Sequence, residues 1–319
     1  MTRLVFAGTP EFGRASLEAL VEAGRAPVAV YTQPDRPAGR GRKLSASPVK
    51  RFAEAHGIPV LQPATLRSDE AVEELATLEP DLLIVAAYGL ILPQAVLDVP
   101  KHGCLNVHAS VLPRWRGAAP IQAAILAGDA TTGISLMAMT AGLDCGPVFH
   151  SEEIAIGADE TAGELHDRLA ALGGQLLVAR LDAILAGDIE AREQDESLAT
   201  HAPKIDKRDA EIDWLLPAAD VARRIRAYNP FPGAYTHVRQ EPAPTSSALP
   251  QGTRLKIWRA SVTDGEGEPG TVLQFDRDAV VVACGEDALR LEELQLPGRR
   301  RAPAREFVGQ ADLAGVRLN

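Results

Sequence analysis

Residues 105–117, LNVHASVLPRWRG, place an asparagine and a histidine two positions apart inside an otherwise apolar run. Side chains alternate between the two faces of a strand, so Asn106 and His108 would point to the same side. An asparagine amide can donate to a developing oxyanion, and a histidine titrates near neutral pH. Asp144 follows in AGLDCGP, and an aspartate can orient an imidazole. A lone histidine beside an apolar strand is more often a packed core residue, but the three residues together favour a catalytic site.

The other residues able to bind a metal show no comparable pattern. The remaining histidines lack metal-ligand spacing and are interpreted as structural or surface side chains: His56, His102, His150, His166, His201 and His237. The cysteines lie far apart without a CxxC pair, so neither a disulfide framework nor a thiolate metal cluster is expected: Cys104, Cys145 and Cys284. The sequence therefore predicts reduced thiols and indicates no metal site formed by these histidines and cysteines.

The elements that would position these residues alternate between apolar strands and helical patterns. Continuous apolar strands with helical crossovers are typical of a doubly wound, mostly parallel, Rossmann-like sheet. The predicted strands span residues 4–8, 28–33, 60–63, 81–87, 104–108 and 134–139. Ligands of such sheets bind outside the carboxyl ends of the strands, and both His108 and Asp144 come at such an end. Thr161 and Glu164 have capping-box spacing and predict the start of a last helix.

The first turn, GTPEFGRA, carries no nucleotide signature. Gly8 and Gly13 have the spacing of a phosphate-binding loop, but Arg14 and Ala15 stand where Lys and Ser or Thr are required. The GxGxxG pattern is also absent, so neither a nucleoside triphosphate nor a nicotinamide cofactor is indicated. We interpret this turn as a tight connection or as a supporting wall of a binding crevice.

A chain of 319 residues predicts two domains. Residues 1–189 form the predicted sheet domain. Residues 190–208 lose all periodicity and are dominated by polar side chains, which indicates an interdomain linker. Residues 209–319 hold one helix and then short segments at roughly ten-residue spacing, which predicts a small all-β barrel.

The formal net charge of −10 argues at first against a nucleic-acid partner, because phosphate binding rewards positive surface. The charge is uneven, however, since residues 207–319 carry 16 Lys and Arg against 16 Asp and Glu. This asymmetry is compatible with a part that meets a polyanion, although a solvated surface of mixed charge is the simpler interpretation. The start of the chain lacks signal-peptide features and no apolar run has the length of a membrane span, so a cytoplasmic location is expected.

The stretch that begins at Asn106 and ends in LDCGP resembles the catalytic segment of the folate-dependent formyltransferases. In that family an Asn-x-His pair, a Ser-Leu-Leu-Pro loop and a later Asp form the active site; Val111 stands where Leu is usual. Other motifs are similar to the branch that acts on methionyl-tRNA: PRWRGAAPIQ, TQPDRPAGRGRKL, AAYGLILP, IDW and IRAYNPFPGAY. The resemblance covers nearly the whole chain.

This resemblance implies transfer of a formyl group from 10-formyltetrahydrofolate to the α-amino group of methionine on initiator tRNA. Asn106 would donate to the oxyanion, His108 would move the proton from the amine to the leaving N10, and Asp144 would orient and stabilise His108. No metal or covalent enzyme intermediate is required.

The resemblance also implies a folate pocket with apolar walls, which suits a flat heterocycle. One loop matches the family's folate-contacting loop: Ser110, Val111, Leu112 and Pro113. A second segment matches the lining of its pterin pocket: Tyr88, Gly89, Leu90 and Ile91.

The glycine-rich loop at residues 35–44 carries four cations: Arg36, Arg40, Arg42 and Lys43. Without the resemblance, a solvated basic loop is the better interpretation. With it, the loop would enter the acceptor-stem end of the tRNA, and Arg40 matches its key arginine.

The resemblance further implies that the second domain is an OB-like barrel that presents cations to the tRNA, through Arg223, Arg224, Arg226 and GRRRAPAR near its end. A monomer is expected.

Two other functions are compatible with parts of the pattern. The chain could formylate a small sugar or nucleotide amine, although the basic loop and the barrel domain argue against this. It could also be a silent folate- or RNA-binding module, against which the intact set of Asn106, His108 and Asp144 argues.

Overall fold

The computed structural model describes residues 2–38, 43–239 and 249–319. Residue contacts divide the chain into two compact units. Unit 1 comprises Met1–Pro120, Thr131–Ala155 and Leu165–Pro203, and unit 2 comprises Ile121–Ala130, Ile156–Glu164 and Lys204–Asn319. The second unit therefore includes two short pieces of chain that come before its main part.

The strands in chain order are β1 (Leu4–Gly8), β2 (Ala29–Tyr31), β3 (Arg36–Ala38), β4 (Lys43–Ser45), β5 (Val60–Leu61), β6 (Leu82–Ala86), β7 (Cys104–His108), β8 (Arg116–Gly117), β9 (Thr131–Ala138), β10 (Val148–Ala155), β11 (His201–Ala202), β12 (Tyr235–Arg239), β13 (Arg254–Thr263), β14 (Val272–Phe275), β15 (Val280–Ala283), β16 (Ala288–Gln295), β17 (Ala302–Pro303) and β18 (Arg317–Leu318). The helices are α1 (Glu11–Glu22), α2 (Pro48–Ala55), α3 (Asp69–Thr77), α4 (Gln94–Leu97), α5 (Pro120–Ala127), α6 (Ala162–Ala186), α7 (Ala218–Ala227) and α8 (Ala304–Phe307).

Unit 1 is built on a seven-stranded sheet in the order β10-β9-β7-β6-β1-β2-β5. The five strands from β7 to β5 run parallel, β9 is antiparallel to β7, and β10 is antiparallel to β9. Every residue of β1, β6 and β7 is buried, as expected for strands covered on both faces. The predicted Rossmann-like, mostly parallel sheet is confirmed.

Helix α6 packs on the face of β7 opposite to Asn106 and His108. The predicted capping box is confirmed at its start, since Glu164 N donates to Thr161 Oγ1 at 3.3 Å and Thr161 N donates to Glu164 Oε2 at 2.9 Å. A Cβ added to Gly173 would lie 3.0 Å from Val107 Cγ1. Glycine lowers helix propensity, but here it lets the helix backbone approach the strand closely.

The length and composition of α6 would suffice for a membrane crossing. This is weak evidence, because core helices pass the same test and 44% of its most apolar window is buried inside the protein. The buried side chains recur at helical spacing and belong to the core of unit 1: Leu165, Leu169, Leu176, Leu177 and Leu181.

The first part of the predicted linker, residues 190–203, belongs to unit 1. Strand β11 pairs in parallel with β8, and Arg192 forms a bridge with Val148 at the start of β10. This segment has little regular structure, but its backbone is hydrogen-bonded to the sheet unit. It is therefore a packed part of unit 1, which polar composition alone did not indicate.

Unit 2 is built on an antiparallel sheet in the order β14-β15-β16-β13-β12-β18, with β17 paired to β16. The two ends of this order also meet, because Thr271 pairs with Arg317. Helix α7 contributes Val221 and Ile225 to the same buried core as Leu255 of β13 and Leu289 of β16. This antiparallel sheet agrees with the all-β character predicted for the second domain.

Candidate active site

Strand β7 carries Asn106 and His108 on the face away from α6. Their exposed fractions are 8% and 6%, so both are buried polar residues that need hydrogen-bond partners. Val107 points to the other face, where Gly173 makes room for it. The predicted alternation is confirmed, and it presents an amide and an imidazole side by side.

Asp144 reaches these residues by a route that strand order alone did not predict. Strand β9 runs antiparallel to β7, with His108 opposite Ser135 and Asn106 opposite Met137, so its carboxyl end lies away from the carboxyl end of β7. Residues 140–146, the Asp144 turn, therefore have to fold back toward His108. Gly146 is required in this path, because a Cβ there would lie 1.8 Å from the carbonyl oxygen of Ala138.

The three predicted catalytic side chains converge around the Asp144 carboxylate. Its Oδ2 lies 3.7 Å from His108 Nδ1 and accepts a hydrogen bond of 2.8 Å from Gly117 N. Its Oδ1 lies 3.5 Å from Asn106 Nδ2, which is at the limit of a hydrogen bond. His108 Nε2 lies 3.0 Å from the carbonyl oxygen of Trp115. Nε2 is thus within hydrogen-bond distance of its acceptor, whereas Nδ1 and the carboxylate are at ion-pair distance.

The loop after β7, residues 110–113, is held in place by Ser135 of β9. Ser135 Oγ donates to Ser110 O at 2.8 Å and accepts from Leu112 N at 3.0 Å. Because Ser135 has one hydroxyl proton, Ser151 Oγ must be the donor in their 2.8 Å contact. Ser110 Oγ donates to Arg114 O at 2.6 Å. Sequence reasoning missed Ser135, whose position inside a strand gives no local signal.

Replacing Ser135 by alanine is expected to lower the free energy of unfolding by about 1–3 kcal/mol, because it leaves two buried backbone groups unsatisfied. Urea denaturation would measure this change. Ser151→Ala is the matched control, since it removes one hydroxyl but keeps both backbone contacts of Ser135. Equal destabilisation by the two variants would contradict the proposed role of the Ser135 hydroxyl.

In the predicted folate-contacting loop, Ser110 and Leu112 are buried, whereas Val111 and Pro113 are half-buried. Val111 packs against the sheet, because its Cγ2 would lie 2.8 Å from a Cβ on Gly133 of β9. Ser110, Val111 and Leu112 thus point into the protein and stabilise the conformation of the loop.

The predicted pterin-pocket segment follows β6, next to the point where the strand order reverses between β1 and β6. Tyr88 O accepts from Thr9 Oγ1 at 2.9 Å and from Gln33 Nε2 at 3.0 Å, which ties three strand ends together. The Tyr88 ring is buried in the core, and burial raises the pKa of its hydroxyl. Gly89 has a φ of 81°, Leu90 is half-buried and Ile91 is 69% exposed.

The predicted tRNA loop is described only at its two ends. Arg36 is exposed on β3, and β4 pairs with it through Lys43–Ser45; Arg40 and Arg42 lie outside the described residues, as does the Lys43 side chain. The base is fixed by Lys50 Nζ, which donates to Asp35 Oδ2 and to Gln62 Oε1, both at 2.8 Å. Asp35, at the start of the loop, is therefore linked through Lys50 to helix α2.

Models of two protein families match this chain. The family described as formyl transferase matches residues 2–181, and the one described as formyl transferase, C-terminal domain, matches residues 204–311. The chain belongs to the formyl transferase family. The methionyl-tRNA formyltransferase of Aromatoleum aromaticum is 55% identical over 306 residues, which are 96% of this chain and 93% of that protein. The one of Methylococcus capsulatus is 50% identical over 318 residues and 99% of both chains.

A solved structure of HypX from Aquifex aeolicus in complex with tetrahydrofolic acid has a similar fold, with a TM-score of 0.64 at 18% identity. The similarity covers 97% of this formyl transferase and 47% of HypX, so the chain spans about half the length of that protein. At this identity the comparison concerns the fold alone.

The site of this formyl transferase includes residues that sequence reasoning missed. Arg116 is 4% exposed and binds Gln194 Oε1 and both carboxylate oxygens of Glu196. The hydrogen bond from Arg116 holds the pKa of the Glu196 carboxyl below its usual range. Thr200 Oγ1 accepts from Trp115 N at 2.9 Å. The basic PRWRG motif was a possible signal for Arg116, whereas the irregular segment 190–203 offered none.

Among the described residues, no three or more His, Cys, Asp or Glu side chains form a group that could hold a metal ion. Cys104 and Cys284 are buried free thiols, and burial raises the pKa of each to about 12. Cys145, beside Asp144, is half-exposed. The expectation of chemistry without a metal remains a prediction.

The cations predicted on helix α7 differ in their contacts from Arg301, which belongs to the predicted GRRRAPAR stretch. Arg223 forms an ion pair with Asp220, and Arg226 donates to Glu160 O at 3.2 Å, so both have partners within the protein. A second set forms what we call the basic–aromatic patch: Tyr235, Arg254, Lys256, Trp258 and Arg301. Arg254 lies 3.4 Å above the Tyr235 ring and Arg301 lies 3.5 Å above the Trp258 ring.

Proposed function

We propose that this chain transfers the formyl group of 10-formyltetrahydrofolate to the α-amino group of methionine on initiator tRNA, which yields formylmethionyl-tRNA for translation initiation. The observation that carries the proposal is the 55% identity to a methionyl-tRNA formyltransferase over 96% of this chain. The convergence of Asn106, His108 and Asp144 adds chemical support, because formyl transfer requires an oxyanion donor and a proton carrier.

The three polar residues would divide the reaction between them. The neutral amine attacks the formyl carbon, the formyl oxygen becomes an oxyanion, and collapse of the tetrahedral intermediate breaks the bond from that carbon to N10. Asn106 would donate to the oxyanion. His108 would accept the proton lost by the amine and return it to N10, so no proton is gained or lost overall. Asp144 would keep the imidazole in place and stabilise its charged form.

The folate donor would bind along the loops at residues 88–91 and 110–113. Two large apolar side chains near the site are left in solvent, with Ile91 69% exposed and Leu143 65% exposed. A flat heterocycle would cover such side chains, and backbone groups of the two loops would supply hydrogen bonds to its edge. These features fit the folate; they do not require a metal.

The tRNA would be bound by the basic loop at residues 35–44 and by unit 2. In the basic–aromatic patch, burial together with Arg254 and Arg301 lowers the pKa of Lys256, which indicates cations held close to one another. None of Arg254, Lys256 and Arg301 has a carboxylate partner among the described residues. Clustered cations without acidic partners suit the phosphate backbone. We therefore propose the basic–aromatic patch as the main tRNA-binding surface of unit 2.

Replacing Arg254 and Arg301 together by alanine is expected to weaken binding of methionyl-tRNA and to leave the KM for the folate donor unchanged. The slope of log K against log salt should fall by about 1 for each phosphate that the variant no longer neutralises. Binding measured at several salt concentrations gives this slope. Arg277→Ala, which removes an exposed arginine between β14 and β15, is the control, and an unchanged slope in the double variant would contradict the role of the patch.

The direct test of the proposed function combines the purified protein with 10-formyltetrahydrofolate and methionine-charged initiator tRNA. We expect formylmethionyl-tRNA, and none when either substrate is omitted. The absence of product at micromolar enzyme would contradict the proposal. Strong turnover of a sugar or nucleotide amine without tRNA would instead support the small-molecule branch.

Several finer assignments belong to the same proposal. The all-β unit would be an OB-like barrel whose main part begins near residue 209, and the protein would act as a cytoplasmic monomer. Competition between elongator and initiator methionyl-tRNA in one assay would measure the specificity of the proposed reaction for initiator tRNA.

A further inference from the structure

The Asp144 turn is held by Gln194, which lies in the irregular segment 190–203 of unit 1. Gln194 Nε2 donates to the carbonyl oxygens of Asp144 at 2.9 Å and of Gly146 at 2.7 Å. One amide group therefore fixes the backbone on both sides of Cys145. Asp144 itself has a φ of 49°, in the left-handed region that non-glycine residues seldom adopt, so the turn needs such support.

The direction of the Gln194 amide is fixed by Arg116. Gln194 Oε1 accepts from Arg116 Nε at 3.0 Å and from Nη2 at 2.8 Å. The guanidinium also donates to Glu196 Oε2 at 2.9 Å and to Oε1 at 2.7 Å. A flipped amide would face the guanidinium with its NH₂ group and the two carbonyls with its oxygen, which leaves no hydrogen bond on either side.

Arg116 is also linked to Asp144 through the main chain. The next residue, Gly117, donates its N–H to Asp144 Oδ2 at 2.8 Å. Asp144 is thus held at its carboxylate by Gly117 and at its carbonyl by Gln194. Both contacts depend on the position of Arg116. Hydrogen bonds and the main chain therefore link Asp144, Gly117, Arg116 and Gln194 in a closed ring, and the Asp144 carboxylate in this ring faces His108.

We propose that Gln194 is a positioning residue for formyl transfer, which holds the Asp144 turn so that its carboxylate faces His108, with its own amide oriented by Arg116. This inference rests on the proposed function, and Gln194 acts through Asp144 without contact to the reacting atoms. It makes segment 190–203 part of the catalytic apparatus.

Gln194→Glu is the sharpest test, because the carboxylate keeps the acceptor for Arg116 and loses both donors to the carbonyls. We expect kcat to fall about 10- to 100-fold, as for a catalytic group displaced on the order of 1 Å, with little change in KM for either substrate. Gln175→Glu makes the same chemical change at an exposed position of α6 and is expected to retain the wild-type kcat.

A second variant and a double-mutant cycle separate positioning from folding. Gln194→Met occupies similar space without a charge and should show a similar fall in kcat, while thermal unfolding identifies any variant that has lost its fold. In an Asp144→Asn background, measured in single turnovers, Gln194→Glu should have a much smaller effect, because both changes disable the same group.

The outcomes distinguish the two proposals. If the wild-type chain forms no formylmethionyl-tRNA, the proposed function fails. If the wild type is active and a folded Gln194 variant keeps kcat within about twofold, or if Gln194→Glu has its full effect in the Asp144→Asn background, the positioning role is overturned.

Discussion

Replacing His108 by alanine is expected to lower kcat for formyl transfer by about 10²- to 10⁴-fold, the range attributed to a positioned general acid–base. The His108 imidazole lies within ion-pair distance of the Asp144 carboxylate, with 3.7 Å between Nδ1 and Oδ2. Without it, the proton of the attacking amine has no carrier to N10. Single-turnover rates with saturating tRNA and folate donor would measure the loss at the chemical step.

His102→Ala is the matched control for this experiment, because His102 is exposed in the turn before β7 and is expected to be dispensable. Calorimetry with the folate donor should show nearly unchanged binding in His108→Ala, since the imidazole is assigned to proton transfer. A His108→Ala enzyme as active as the wild type would exclude this assignment and would revive the interpretation of the chain as a binding module.

Asp144→Asn is expected to reduce kcat by a similar 10²- to 10⁴-fold, with a modest effect on tRNA affinity. The carboxylate accepts from Gly117 N and faces His108 Nδ1 with the same oxygen. An asparagine keeps the shape but loses the charge, and its NH₂ group in that place would oppose the Gly117 N–H. Steady-state kinetics that separate kcat from KM would show the loss in kcat.

The control for the neutralised carboxylate is Asp188→Asn, at an exposed position after α6. It removes one negative charge from the same protein without a contact to the site. If Asp144→Asn instead raised KM for tRNA and left kcat unchanged, the carboxylate would belong to substrate binding, and the proposed division of roles would be wrong.

Local sequence was sufficient where a feature depends on neighbours along the chain. Strands β1 and β7 begin and end at the predicted residues, because an unbroken apolar run bounded by turn residues is a local signal. The capping box at Thr161 is local in the same sense. The alternation that puts Asn106 and His108 on one face follows from the geometry of any strand.

The approach of Asp144 was not local, because it depends on the direction of β9. The sequence indicates a strand at 134–139 but does not tell whether it runs parallel or antiparallel to β7. The sequence therefore predicted correctly which three side chains converge. The path of the connecting turn was visible only in the structure, where His108 pairs with Ser135.

Segment 190–203 was harder still, since its place is set by individual hydrogen bonds. Gln194 and Thr200 contact residues 50 and 85 positions away in the chain, and such contacts leave no periodicity. Polar composition is the same for a solvated linker and for a packed irregular segment, so it does not distinguish them.

The close approach of Gly173 to Val107 has a consequence for how mutations spread through this protein. Val107 lies between the two residues assigned to the chemistry, and its side chain meets the helix so closely that a Cβ on Gly173 would lie 3.0 Å from it. An alanine at 173 would require Val107 or the helix to move by a few tenths of an ångström, and a larger side chain would require more. Gly173 therefore sets how closely α6 and β7 pack, and we expect a substitution there to change the catalytic rate by shifting Asn106 and His108.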